Sequence, residues 1–290
     1  MTILEFEKLF EQIAPQSYAQ KWDNVGLLMG DRNNQVKKIM CVLDITMPVV
    51  TQAIEQKIDL IISHHPLIFK TISLLSDTSQ GKIIIELAKN NIAVFAAHTN
   101  LDSVDGGIND FVAKEIGLIN IHPLNFVDPN IQDNTHPSTN LFNDTTTKQN
   151  SPFAMPNNLG IGRVGFLSTP IMASEYKKQI SEIFEDKYTS IIGDANKIIN
   201  KVAIINGSGG DYEFVDQARV KGVDCLITAE VKHHIAIYAI SYDLTIIEPH
   251  HFNMEFIYIK VLVQFLNALF AKNKINAKAI QSSAEIDYRT

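Results

Sequence analysis

The stretch Asp59-Leu-Ile-Ile-Ser-His-His-Pro-Leu67 decides the fold, because a short apolar run passes directly into two histidines. A continuous apolar run of this length, bounded by polar residues, is typical of a strand buried on both faces of a parallel sheet. In open α/β sheets, ligands bind beyond the carboxyl ends of the strands. We therefore predict a buried strand at 59–63 that delivers His64 and His65 to a binding site.

The same alternation of apolar runs and helical segments extends over most of the chain. Before residue 125, the other predicted strands are 38–44 and 92–97, with helices between them. After residue 158, four more strands are predicted, and each is followed by a helix, the last of which is 255–271. This alternation favours an α/β fold with parallel-dominated sheets that are covered on both faces.

A polar segment, 125–158, interrupts the alternation. It contains eight asparagines, four prolines and five threonines, without a periodic apolar pattern. Such a composition favours a flexible linker. We therefore predict a first α/β lobe in residues 1–124 and a second in residues 159–290. The pattern leaves open whether the last helix packs on the second lobe or returns to the first.

The composition is ordinary for a soluble globular protein, with 46% hydrophobic and 20% charged residues among 290. Two cysteines are too few for a disulfide scaffold or a cysteine-rich zinc site. A net charge of −7 disfavours binding to nucleic acid but is compatible with a small anionic substrate. Because the N-terminus lacks a signal-peptide pattern and polar residues interrupt the apolar stretch 256–271, we expect a cytoplasmic protein that does not span a membrane.

Histidine is unusually clustered in this chain. Six of the nine histidines form three adjacent pairs, at 64–65, 233–234 and 250–251. Metal ligation is the commonest chemical reason for such clustering, and the pKa of histidine also suits proton transfer near neutral pH. His233 and His234 begin a predicted helix, where a role as general acid or base and a plain surface position are equally supported.

Candidate metal ligands follow three of the predicted strands. His64 and His65 follow one strand, and the segment His98–Asp102 follows the next. After the last strand, His251 precedes Glu255 by four residues, which puts both on one face of a helix. His98 either joins the ligands or orients Asp102, and we favour the orienting role. Five nitrogen and oxygen ligands suit two divalent ions, Zn, Fe, Mn or Co, that share a carboxylate.

Two glycine-rich stretches admit both a functional and a structural interpretation. Residues 160–165 have the spacing of a dinucleotide-binding loop but precede a strand, so we interpret them as a close backbone approach with Arg163 near an anion. Residues 206–210 lie between a strand and a helix, where backbone amides either cradle a phosphate or carboxylate or form a structural turn. Cys225 falls in a predicted buried strand and is expected in the core.

Five segments of this sequence, taken in order, resemble the NIF-three-like family of dinuclear metal proteins, whose members carry the label GTP cyclohydrolase 1 type 2 homolog. The segments are Trp22-Asp-Asn-Val-Gly-Leu-Leu28, Leu60-Ile-Ile-Ser-His-His-Pro-Leu-Ile-Phe69, His98-Thr-Asn-Leu-Asp102, Gly160-Ile-Gly-Arg-Val-Gly165 and His251-x-x-x-Glu255.

The resemblance implies a specific metal site and assembly. It implies two α/β sandwich lobes that face each other across a metal cleft, and a homohexamer. The ligands implied are His64, His65, Asp102, His251 and Glu255. In the family motif a glycine precedes the last histidine, whereas this chain has His250 there; the spacing to Glu255 favours His251 as the ligand.

Two classes of function fit these observations. The first is a metal-dependent hydrolase of a small molecule, for which the family label suggests a nucleotide and the opening of the imidazole ring of GTP. In that enzyme His98, His233 or His234 would move protons. The second is a non-enzymatic metal-binding adaptor or regulatory protein. Nothing in the sequence specifies guanine, so the residues alone do not decide between the two.

Overall fold

The computed structural model describes residues 1–70, 74–126 and 159–289. Most of the expected linker, residues 127–158, therefore lies outside the described residues. Its first two residues, Asn125 and Phe126, belong to the end of a strand.

Helices and strands alternate along the described chain, as the apolar runs predict. The helices, numbered in chain order, are α1 (Ile3–Glu11), α2 (Met47–Glu55), α3 (Ser79–Lys89), α4 (Thr99–Ser103), α5 (Ile108–Glu115), α6 (Ala173–Ile183), α7 (Tyr212–Val220), α8 (His233–Ser241) and α9 (His251–Lys272). The strands are β1 (Gly26–Met29), β2 (Lys38–Val42), β3 (Leu60–Ser63), β4 (Ala93–Ala96), β5 (Leu118–Phe126), β6 (Gly160–Met172), β7 (Ser190–Ile192), β8 (Ile198–Ile204), β9 (Cys225–Ile227), β10 (Thr245–Glu248) and β11 (Lys278–Gln281).

The first sheet is parallel except at one edge. Its strand order is β1-β4-β3-β2-β11, and β1 alone pairs antiparallel. Cys41 of β2 lies opposite Ile62 of β3, which lies opposite Phe95 of β4. The carboxyl ends of these three strands therefore lie side by side at one edge of the sheet.

The second sheet is more mixed than the sequence predicts. Its order is β5-β6-β8-β9-β10-β7, with a parallel centre of β8, β9 and β10. The outer strands β5, β6 and β7 pair antiparallel. The α/β class is confirmed, but parallel pairing dominates only the first sheet, because β5 and β7 lack the continuous apolar runs that marked the central strands.

Two strands join the sheet of the other half of the chain. β5, which precedes the polar segment, pairs with β6 in the second sheet. β11, which follows α9, pairs with β2 in the first sheet. α9 itself contacts α5, β2 and β11, so the last helix returns to the first lobe.

The core follows the alternation of side chains along each strand. In β2, Ile39 and Cys41 point into a cluster that includes residues of both sheets and of α9, whereas Met40 and Val42 point to the outer cluster beneath α2 and α3. Cys225 is buried in the shared cluster, as predicted. One apolar core therefore joins the two sheets.

α9 is, within the described residues, a helix whose length and composition would allow it to cross a membrane. In this fold its apolar residues Leu262, Leu266 and Phe270 are buried in the shared core. Its first turn carries His251 and Glu255. The helix therefore positions site residues as well as filling the core.

Candidate metal centre

The candidate centre lies where strand ends from both sheets meet. His64 and His65 follow β3, and their backbone amides still donate to Val42 and Leu43 beside them, at 3.0 and 3.1 Å. Adjacent side chains of a regular strand point to opposite faces, but the ring centroids of these two histidines are only 5.2 Å apart. The extended backbone at the strand end therefore brings both imidazoles to one site.

The Nδ1 atoms of the two adjacent histidines form hydrogen bonds with different groups. His64 Nδ1 donates to the Ala97 carbonyl at 2.9 Å. His65 Nδ1 donates to Asp44 Oδ1 at 2.9 Å. With Nδ1 engaged in this way, Nε2 is the atom that each ring can offer to a metal ion.

His98 and His251 are held in the same manner. His98 Nδ1 lies 2.9 Å from Asp23 Oδ2, and His251 Nδ1 lies 2.9 Å from Glu230 Oε1. All four histidines of the centre therefore use Nδ1 for a hydrogen bond and turn Nε2 inward. This is the arrangement that orients histidine ligands in metal proteins.

Donor atoms from both halves of the chain meet in what we term the interlobe group, His65, His251 and Glu255. Glu255 Oε2 lies 3.1 Å from His65 Nε2 and 3.0 Å from His251 Nε2. The two Nε2 atoms are 3.3 Å apart. These atoms are close enough together to ligate one ion.

His64 and Asp102 complete the predicted ligand set. His64 Nε2 lies 3.6 Å from Glu255 Oε1 and 4.0 Å from Asp102 Oδ1. All five predicted ligands therefore converge, and the two oxygens of Glu255 face different partners. His98 also lies close enough to His64 and His65 to ligate an ion with them. Its Nδ1 forms a hydrogen bond with Asp23 and not with Asp102, so the favoured role of orienting Asp102 is not what this contact shows.

Two buried side-chain atoms provide a test of whether these residues fit a metal. His64 Nε2 and Asp102 Oδ1 have no hydrogen-bond partner within the described parts of the chain. Buried polar atoms are nearly always paired, since leaving them unpaired costs about 1–3 kcal/mol each. A divalent cation would satisfy both, so the donor set fits metal ions.

The electrostatics of the centre are dominated by Glu255. Burial would raise its pKa, but the rings of His64, His65 and His251 hold the pKa well below its usual value. For His251, burial alone would lower the pKa, but the neighbouring charge of Glu255 has the larger effect and raises the pKa to about 9. Burial raises the pKa of Asp102 to about 6. The site thus places a buried carboxylate, which requires a nearby cation, among imidazoles that can serve as metal ligands.

The glycine-rich stretch at 206–210 lies directly against Glu255. A Cβ on Gly207, whose φ is +70°, would lie 2.3 Å from Glu255 Oε1 and 3.1 Å from His251 Nε2. Next to it, the buried carboxamide of Asn206 has no hydrogen-bond partner in the described structure. This stretch is thus a close backbone approach that forms one wall of the centre.

Several histidines and a basic residue singled out by the sequence lie elsewhere. His233 and His234 are exposed at the start of α8, where the ring of His234 faces Tyr212 at 5.7 Å. His250 is buried, with Nδ1 3.2 Å from Asp287 near the C-terminus. These positions leave His98 as the proton-transfer candidate whose ring adjoins the ligands.

Arg163 contacts an anion of the chain itself. Its fully buried guanidinium forms a bidentate ion pair with Asp110 of α5, and also donates to the carbonyls of Gly160, Gly162 and Val104. The expected anion is therefore a structural carboxylate.

Sequence reasoning missed the carboxylates that hold the histidines. Asp44 and Glu230 each lie beyond the carboxyl end of a strand, β2 and β9, so the rule that identified His64 was able to find them too. Asp23 lies within a motif quoted for the family resemblance, but its partner His98 is 75 residues away. Only the folded chain shows that pairing.

Comparisons with known proteins identify relatives over the whole chain. The family model described as Duf34/NIF3 (NGG1p interacting factor 3) matches residues 1–287. A Clostridium acetobutylicum protein named GTP cyclohydrolase 1 type 2 homolog is 36% identical over 280 residues, which is 96% of this chain and 94% of that protein. A relative of the same name from Clostridium perfringens is 35% identical and covers 88% of this chain and 87% of its own.

Solved structures share the fold. A Staphylococcus aureus protein superposes with a TM-score of 0.83 at 29% identity, covering 99% of this chain and 98% of its own. A Bacillus cereus protein described as related to NIF3 has a TM-score of 0.84 at 23% identity, again covering 99% and 98%. The second likeness supports the fold alone.

Proposed function

This chain belongs to the Duf34/NIF3 family, and from that premise we propose that it is a metal-dependent hydrolase whose site lies between the two sheets. The observation that carries the proposal is the convergence of His65, His251 and Glu255 from opposite halves of the chain. The unpaired buried atoms His64 Nε2 and Asp102 Oδ1 support it independently.

We assign the ligands to two divalent ions according to which oxygen of Glu255 they face. One ion would be held by His65, His251 and Glu255 Oε2, whose donor atoms lie 3.0–3.3 Å apart. The other would be held by His64, Asp102 and Glu255 Oε1. Since each imidazole Nε2 would serve one ion, Glu255 would be the residue that contributes to both. The donor set suits Zn, Fe, Mn or Co.

Residues around these ions would transfer a proton and orient the ligating rings. Divalent ions supply Lewis acidity and lower the pKa of water. His98 would accept and return a proton at Nε2, because Asp23 fixes the proton of the ring on Nδ1. Asp44 and Glu230 would keep the rings of His65 and His251 in their ligating tautomer.

The relatives' name suggests the substrate class. We propose a small-molecule substrate, a purine nucleotide such as GTP, whose imidazole ring would be opened with release of formate. A cytoplasmic homohexamer, as the family resemblance implies, is part of the same proposal. The net charge of −7 disfavours a nucleic acid or an anionic membrane as the partner and is compatible with a small anionic substrate.

Incubation of metal-loaded protein with GTP tests the enzymatic proposal. We expect formate release and loss of the guanine absorbance. Glu255→Gln should reduce the rate by more than the roughly 10–100-fold that loss of an outer partner of a metal ligand causes. His233→Ala, an exposed histidine on α8, serves as the control and should retain the rate.

Two results would contradict parts of the proposal. Metal-loaded protein that releases no formate would rule out the cyclohydrolase reaction. Metal-loaded protein that also leaves a panel of phosphoesters and amides intact would overturn the hydrolase proposal and favour a metal-binding adaptor or regulator.

A further inference from the structure

Two large aromatic side chains are exposed beside the metal centre. Trp22 is 63% exposed and Phe69 is 46% exposed. Their rings are stacked, with centroids 6.5 Å apart and planes 25° apart. Both rings meet His98 edge-on, at 5.8 and 6.0 Å. An apolar surface therefore adjoins a group of buried, charged donor atoms.

Hydrogen bonds of neighbouring residues anchor the backbone beside both rings. Asp23, next to Trp22, accepts from His98 Nδ1 and from the backbone amide of Thr99 at 3.1 Å. The side chain of Asn24 donates to the carbonyl of Ile68, next to Phe69. The same short segment that orients His98 thus fixes the two aromatic residues, so little ordering remains to be done when a ligand binds.

An exposed, pre-positioned aromatic pair is suited to one kind of ligand. Aromatic faces stack on planar rings of any substitution pattern, and such stacking contributes about 1–3 kcal/mol per base in nucleic-acid binding. The pair adjoins a buried, polar centre that would act on the polar part of the same ligand. A planar heteroaromatic ring therefore matches the surface better than a flexible chain does.

We propose that Trp22 and Phe69 form a stacking platform that holds the heteroaromatic ring of the substrate beside the metal ligands. This inference rests on the proposed function, because it assigns the recognition of the ring to two residues of the same site. His98, which contacts both rings, links the platform to the His64–His65 side of the centre.

Trp22 is the only tryptophan of the chain, so intrinsic fluorescence reports on the platform directly. We expect guanosine to quench the fluorescence of the zinc-loaded full-length protein in a saturable manner. Ribose 5-phosphate, which lacks the ring, should not quench it. Iodide should also quench the free protein, because the indole is exposed.

Variants separate stacking from a structural role. Phe69→Ala should weaken guanosine binding about tenfold, within the range for loss of one stacking partner. By calorimetry, Trp22→Ala should weaken binding comparably, whereas Trp22→Phe should retain most of it. Tyr242→Ala removes an aromatic ring of equal exposure, 46%, from the end of α8 and should leave binding unchanged. Zinc binding by every variant serves as the folding control.

The outcomes distinguish this inference from the proposed function. If zinc binds and GTP is hydrolysed, but guanosine neither quenches Trp22 nor binds more weakly to Phe69→Ala, the platform is wrong and the hydrolase stands. If iodide fails to quench Trp22, another copy of the chain covers the platform and the inference is overturned. If the wild-type protein binds none of zinc, iron, manganese and cobalt, both proposals fail.

Discussion

At the scale of single residues, the centre depends on one position that admits no side chain. Gly207 lies so close to Glu255 that its backbone forms the wall behind this carboxylate. Its positive φ adds a second reason for glycine, because other residues adopt this conformation at a cost of about 1–2 kcal/mol. The steric and conformational effects can be separated experimentally.

Gly207→Ala should weaken metal binding about 10–100-fold, because its Cβ would displace the Glu255 carboxylate and crowd His251 Nε2. Gly222→Ala is the matched control. Gly222 has a similar φ of +64° but open space around its Cβ position, so it should lose stability without losing metal affinity. Titration with zinc, together with thermal unfolding, measures both effects. Equal metal affinity in the two variants would show that Gly207 does not support Glu255.

At the scale of elements, the Arg163–Asp110 ion pair fixes α5 of the first half of the chain against β6 of the second. Asn109 of α5 continues this contact, since its side chain donates to the Asp102 carbonyl at 3.2 Å and accepts from the Asn206 amide at 2.9 Å. α5 therefore connects the Asp102 side of the centre with the wall at Gly207.

Asp110→Ala should lower stability by about 3–5 kcal/mol, because it leaves the buried guanidinium of Arg163 without its carboxylate. Glu86→Ala breaks the exposed pair with Lys89 of α3 and should cost about 1 kcal/mol or less. Urea unfolding of both variants measures the difference. Similar losses would mean that Arg163 finds other compensation inside the protein.

The central strands were predictable from sequence and the outer strands were not. β2, β3 and β4 are buried on both faces, so each is a continuous apolar run. β5 carries Asn120, His122 and Pro123 among its apolar residues, and β11 is a short edge strand. Edge positions need fewer apolar side chains and therefore leave a weaker pattern.

The convergence of the predicted ligands was foreseeable for the same reason. His64, Asp102 and Glu255 follow strands whose carboxyl ends meet, and a sequence pattern shows each strand end. The pairing of the carboxylates with the rings was not predictable, because it depends on how separate loops fold together. Asp23 and His98, and equally Glu230 and His251, come together only in the three-dimensional structure.

At the scale of the whole molecule, the two lobes are less separate than the polar segment suggests. β5 and β11 exchange sheets, α9 returns to the first lobe, and one apolar cluster includes residues of both sheets. The exchange holds His251 and Glu255 opposite His64 and His65. The centre is therefore a product of the joined lobes, and we expect neither lobe to bind both ions alone.

The metal content of the purified full-length protein, measured after reconstitution and gel filtration, tests this account most directly. We predict two divalent ions per chain in the wild type. His251→Ala should retain the ion at His64 and Asp102 and lose the other, while His64→Ala should show the reverse. A wild-type protein that retains no metal, or a His251→Ala protein that still retains two ions, would contradict the account.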